Sequence, residues 1–98
     1  MTLDFHYDAG HGWLKVTTYQ LAKLGIYNQV SRYSYIDIAN ANPDQSHNVY
    51  LEEDCDANLF LNACKDKGIE FTINEIDDGI NSPIRRKHRF PSKKVETV

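Results

Sequence analysis

Two histidines and an aspartate stand within six residues of one another in the stretch HYDAGHGWLKV, from His6 to Val16. His6, Asp8 and His11 offer imidazole nitrogen and carboxylate oxygen, the donor types that suit zinc or a harder divalent ion. Their spacing serves that chemistry poorly. His6 falls on the face of a strand, His11 lies beyond a turn, and His47 is the only further candidate ligand in view. Asp8 has a commoner local task, which is to accept backbone N–H groups two or three residues on. We therefore read DAGHG as a structural turn, with a small metal-dependent enzyme at the hairpin as the alternative. A phosphate-binding loop is excluded because a strand, not a helix N-terminus, follows the glycines.

A second group is the acidic knot EEDCD, in which Glu52, Glu53, Asp54 and Asp56 surround Cys55. Carboxylates at a helix start cap N–H groups and oppose the macrodipole favourably, but one or two would suffice. The excess predicts an acidic surface for a basic partner. Cys55 is no nucleophile in this setting, since adjacent negative charge disfavours the thiolate. A third group lies in the tail SPIRRKHRF. There Arg85, Arg86, Lys87 and Arg89 could meet nucleic-acid phosphates, with Phe90 stacking on a base. Tyr35 and Tyr50 form a fourth group, expected on the outward face of the sheet beside the acids, where they would complete a protein-binding surface.

These groups need a scaffold, and 98 residues with 41% apolar content supply one domain with one core. Residues 1–82 carry thirteen acids and five bases, a net of −8, whereas residues 83–98 carry six bases and one acid, a net of +5. An acidic body thus ends in a basic tail. No apolar run is long enough to span a bilayer and no leader precedes the first strand, so a cytoplasmic protein is expected. Cys55 and Cys64 fall on opposite sides of one predicted helix and cannot bridge each other, which suits a reducing compartment. No cofactor is implied.

Alternation predicts a first strand through Leu3, Phe5 and Tyr7 and a second from Trp13 to Val16, joined as a hairpin whose Gly10 and Gly12 can take positive φ. Thr17 or Thr18 caps a short helix that presents Leu21 and Leu24 and ends at Gly25. SYIDIA, from Ser34 to Ala39, alternates again; NANPDQSHN is a loop; Val49 to Glu53 is a strand. The best helix follows, capped by Asp54 or Asp56, with Ala57, Phe60, Leu61 and Cys64 as its apolar stripe and Gly68 at its end. A further strand is expected through Ile69, Phe71 and Ile73. The order β-β-α-β-β-α-β predicts an α+β core over residues 1–78, a mainly antiparallel sheet of about five strands with two helices on one face. Residues 79–98 read as an extended basic arm, disordered in part.

DAGHGWL, SRYSY, VYLEEDCDANLF and SPIRR together resemble a family of short uncharacterised proteins of bacteriophages, plasmids and integrated elements. The resemblance spans Phe5 to Phe90 and is most specific from Val49 to Phe60; the loop around Pro43 and the tail beyond Phe90 fall outside it. It implies an origin on a mobile element and carries no activity with it. The function expected from these features is binding, not catalysis: a host protein met through the acidic surface, with nucleic acid met through the arginine arm as the alternative. A homodimer is compatible with either.

Overall fold

The computed structural model describes residues 1–38 and 45–94. Its order is β1 (Thr2–Tyr7), β2 (Gly12–Thr17), α1 (Thr18–Lys23), β3 (Tyr35–Ile36), β4 (Asn48–Glu52), α2 (Ala57–Asp66), β5 (Thr72–Asp77) and β6 (His88–Arg89), with single 3-10 turns at Tyr27–Gln29 and Pro83–Arg86. The strands form one sheet in the order β5-β1-β2-β4-β3-β6. β1 and β5 run parallel and every other neighbouring pair is antiparallel. This is the α+β architecture expected, with one strand more than the periodicity shows. No helix among the described residues is long and apolar enough to cross a membrane.

The two helices begin and end for local reasons. Thr17 and Gln20 form a reciprocal capping box at α1, each side chain accepting the other's backbone N–H. Both helices stop in the same way. Gly25 and Gly68 take the left-handed conformation at φ 72° and 68°. The next residue, Ile26 or Ile69, then donates its N–H back to Leu21 or Cys64. That cap displaces the last predicted strand. Ile69 is consumed in closing α2, so β5 starts only at Thr72, and Ile69 and Ile73 remain exposed.

Leu3, Leu14, Val16, Ile36, Val49 and Leu51 point to one face of the sheet and meet Leu21, Ala57, Phe60 and Cys64 from the helices. Gly10 and Gly12 do not use positive φ, contrary to expectation. What Gly12 supplies is room, since a Cβ there would overlap the Phe5 ring. Among the described residues of the predicted SYIDIA strand, Tyr35–Ile36 are paired; Ala39 and the loop around Pro43 lie outside the described residues.

Residues 79–94 are not a free arm. They form the second 3-10 turn and the edge strand β6, and they bury Ile84 and Phe90. Phe90 joins the helical-side core, while Ile84 packs with Trp13, Tyr35 and Tyr50 on the opposite face of the sheet. An apolar residue at each end of the basic run thus pins it down as a strap. The last four residues of the predicted arm lie outside the described residues.

Candidate functional site

The DAGHG turn and the strap are locked by one carboxylate. Asp8 accepts the Gly10 and His11 N–H groups on Oδ1, both at 3.0 Å, and the Ser82 N–H on Oδ2 at 2.8 Å. Arg85 completes it with a two-pronged contact, Nε to Oδ2 at 2.6 Å and Nη2 to Oδ1 at 2.9 Å. The Arg85 guanidinium, helped by the Ser82 N–H, holds the Asp8 carboxyl far below the ordinary carboxylate range against the opposing effect of burial. Asp8 is therefore the turn-maker expected, and also an anchor that no local pattern signals.

The His6, Asp8 and His11 metal site does not assemble. Both Asp8 oxygens are filled by protein donors, and His6 Nδ1 instead faces Asp78 at 3.1 Å. Asp78 is fixed in turn by the Ser82 hydroxyl at 2.6 Å. His11 belongs elsewhere: one ligating atom from each of His11, Glu52, Glu53 and Asp54 lies within 4.8 Å of the others. An oxygen-rich set with one imidazole suits a hard divalent ion. Glu52 Oε2, however, already accepts the Asp54 and Cys55 N–H groups, both at 2.9 Å.

The acidic knot divides into inner and outer members. Glu52 is buried and shapes the turn into α2. Asp56 is buried as well and occupies the N-cap position without capping through its side chain. It accepts instead the Ser31 N–H, the Ser31 hydroxyl and the Ser34 hydroxyl, so it holds the loop that leads into β3. Only Glu53 and Asp54 reach the surface. Burial, with the Glu52 side chain and charge next, raises the Cys55 thiol, so no activated thiolate is present.

Tyr35 and Tyr50 are cross-strand partners on the face away from the helices, as their alternation requires. That face is not bare. Both rings are buried with Trp13 and Ile84 beneath the strap. Three alternate strap residues cover three rings: Arg85 lies 5.3 Å from the Trp13 ring centre, Lys87 5.1 Å from Tyr50 and Arg89 4.5 Å from Tyr35. Lys87 also pairs with Asp37 at 2.7 Å. Arg85 and Lys87 are held by carboxylates of the body, whereas Arg89 has only the Tyr35 ring and the Tyr33 carbonyl, so Arg89, Arg86 and the lysines after Phe90 are the charges left to the nucleic-acid reading; Phe90 itself is buried and cannot stack on a base.

Two of the concave places among the described residues gather these groups. The first, a cleft of about 300 Å³, has Trp13 and Tyr35 from the sheet, Tyr33 beside them, Arg85 and Arg89 from the strap, and His11, Glu52 and Asp54 from the turns. The second, a ledge of about 380 Å³ at the β5 edge, gathers Phe5, Tyr7, Glu53 and Glu75 around the DAGHG turn. The parallel register of β1 and β5 sets Phe5 against Glu75 and Tyr7 against Asp77, which puts each pair on one face. Among the described residues no basic group lies within ion-pair distance of Glu53, Glu75 or Asp77. No family model, curated protein or solved structure matches this chain. Sequence reading missed Glu75 and Asp77, whereas Tyr33, which the SRYSY stretch already brings forward with Tyr35, lines the first cleft. The two acids become a site only through the pairing of strands some seventy residues apart in the chain, a contact with no local signal.

Proposed function

We propose that this is a small binding protein, carried by a mobile element, that modulates a host nucleic-acid-handling or defence machine by offering carboxylates to a basic element of that machine. The supporting observation is the ledge. Glu53 and Glu75 stand around the half-buried rings of Phe5 and Tyr7, with Asp77 beside Tyr7 in the strand register, and none of the three acids has an ion-pair partner within 4.0 Å among the described residues. Aromatic surface with unpaired carboxylates at its rim suits arginine or lysine side chains, whose stems lie on the rings while their heads reach the acids. The site proposed is therefore the outer part of the acidic surface, not the buried Glu52, Asp56, Tyr35 and Tyr50.

The experiment is capture from a bacterial lysate on the immobilised protein, run beside a Glu53→Lys, Glu75→Lys double variant. The expected result is a protein retained by the wild type, released by moderate salt, and lost by the variant. Capture of nothing specific, or of the same protein by both forms, overturns the reading.

A further inference from the structure

The Trp13–Tyr35 cleft shares His11 with the ledge, but its charges are arranged differently. Arg89 rests on the Tyr35 ring and donates to the Tyr33 carbonyl at 3.4 Å, with no carboxylate within 4.0 Å among the described residues. The Glu52 side chain meets the Cys55 thiol, and its only basic neighbour within 4.0 Å among the described residues is His11, 3.8 Å from Oε1; Asp54 has no basic group within that distance among the described residues. Opposite charges thus line one small cleft without closing on each other. Between them is Trp13, 2% exposed, whose indole N–H has no acceptor. A buried donor left unpaired costs free energy that an entering acceptor would recover. Around that ring stand the Asp8-held Arg85 guanidinium, the buried Tyr35 and Ile84, and His11 at 6.1 Å, whose half-exposed side chain is the one free to turn aside. Tyr33 supplies an exposed aromatic face at the mouth.

A ligand that satisfies this lining carries an anion, a flat ring, at least two N–H donors on one edge, and an acceptor adjoining those donors. We propose that the cleft binds an unpaired guanine bearing a phosphate. Guanine alone among the four common bases sets two adjacent N–H donors beside a carbonyl acceptor. Adenine and cytosine would turn a ring-nitrogen lone pair toward the carboxylates, and uracil offers a single donor between two carbonyls. In the bound form the N1–H and N2–H edge meets Asp54 and Glu52 Oε1, O6 accepts from Trp13 Nε1, and the ring stacks on Tyr33. The phosphate stays at the mouth on Arg89. A volume of about 300 Å³ is at the lower end for ligand sites, which suits a base seated with its sugar and phosphate outside. Single-stranded recognition works in this way, by stacking and by reading the pairing edge of a splayed base.

Trp13 is the one tryptophan of the chain, so its fluorescence and its indole N–H resonance report on this cleft alone. The full-length protein is titrated with GMP, AMP, CMP, UMP, guanosine and inorganic phosphate. The expected result is saturable quenching by GMP at least tenfold tighter than by AMP, with the indole proton moving downfield. Asp54→Asn and Tyr33→Ala should each weaken GMP about tenfold. Arg89→Ala should abolish the preference for GMP over guanosine, while Glu75→Gln on the ledge should change nothing. Asp54 and Tyr33 are exposed, so these variants keep the fold, and the wild-type titration needs no variant at all. A pentanucleotide with one guanine separates the sources: tighter binding than GMP assigns a nucleic-acid strand, weaker binding a free nucleotide. Equal affinity for GMP and AMP, or no response of the indole proton, overturns the proposal.

Discussion

On its helical face the sheet is closed by side chains that carry no charge: Leu21, Phe60 and Cys64 pack against Leu14, Val16, Ile36, Val49 and Leu51. On its opposite face it is closed by the strap, which sets Arg85, Lys87 and Arg89 over Trp13, Tyr50 and Tyr35 and ties Arg85 to Asp8. The first closure rests on removal of apolar area from water, which is non-directional and involves no charge for salt to screen or pH to titrate. The second rests on matched directions: a two-pronged guanidinium, cations over ring faces, and a carboxylate whose every oxygen is used. The two faces should therefore fail under different challenges, and the candidate sites lie where the second kind of closure leaves charge unspent.

The largest effect belongs to the helical face. Phe60 is 1% exposed at the centre of that core, and Phe60→Ala should cost about 3–5 kcal/mol through lost transfer and an unfilled cavity. Urea denaturation measures it, and the loss should be the same at low and high salt. A loss that shrank with salt would mean that the two faces are not physically distinct.

On the strap face the corresponding change is Asp8→Asn, which keeps size and turn geometry but removes the charge facing Arg85. Midpoint temperature should fall by about 10 °C, followed by circular dichroism. The acid limb sharpens the point. Arg85 holds the folded Asp8 carboxyl below its ordinary value of 3.8, whereas the unfolded chain takes up that proton at the ordinary value. Proton uptake therefore favours unfolding. The contribution is whole above about pH 4 and is lost as pH falls toward the folded value. Wild type should lose midpoint temperature more steeply than Asp8→Asn between about pH 5 and 3. Parallel slopes would remove Asp8 from the account.

What the sequence makes legible divides along the same line. Alternation in Leu3–Tyr7 and in Val49–Leu51, the stripe from Ala57 to Cys64, and the glycine ends of both helices depend on neighbours within a few residues, and each is present. The strap depends on Asp8 meeting Arg85 across 77 positions, and no periodicity encodes that. The basic run SPIRRKHRF looks like a solvated arm because its charges outnumber its apolar residues. The decisive members are Ile84 and Phe90, one at each end, whose burial fixes where the charges between them must fall. The acidic knot misleads for a related reason. Composition counts four carboxylates as one surface, but Glu52 and Asp56 point inward because backbone and serine donors await them there.

Alkaline titration gives a smaller but more specific contrast. Burial, with the neighbouring Asp37 charge second, pushes the Tyr50 hydroxyl up to about 12. In the unfolded chain it ionises near its ordinary value of 10.0. Its contribution to stability is therefore whole below about pH 10 and is lost as pH rises toward the folded value. Tyrosinate absorbance should show one group lagging the other tyrosines, and Asp37→Asn should bring it earlier. A Tyr50 that titrates with the rest would mean that the strap does not shield this face.

The smallest effect separates holding the fold from serving the cleft. Arg89 is exposed, its guanidinium above Tyr35, and a cation over a ring at such a site contributes about 0.5–1 kcal/mol. Arg89→Ala should therefore cost about that much in urea denaturation, and a double-mutant cycle with Tyr35→Leu should recover most of it as coupling. Phe90, next along the chain, is 2% exposed and pins the same segment from the helical side, so the strap should stay in place when Arg89 is removed. The variant then has a near-normal fold and a cleft without its one uncommitted strap cation. A loss of several kcal/mol would instead make Arg89 a structural clamp like Arg85, with no charge to spare for an incoming phosphate.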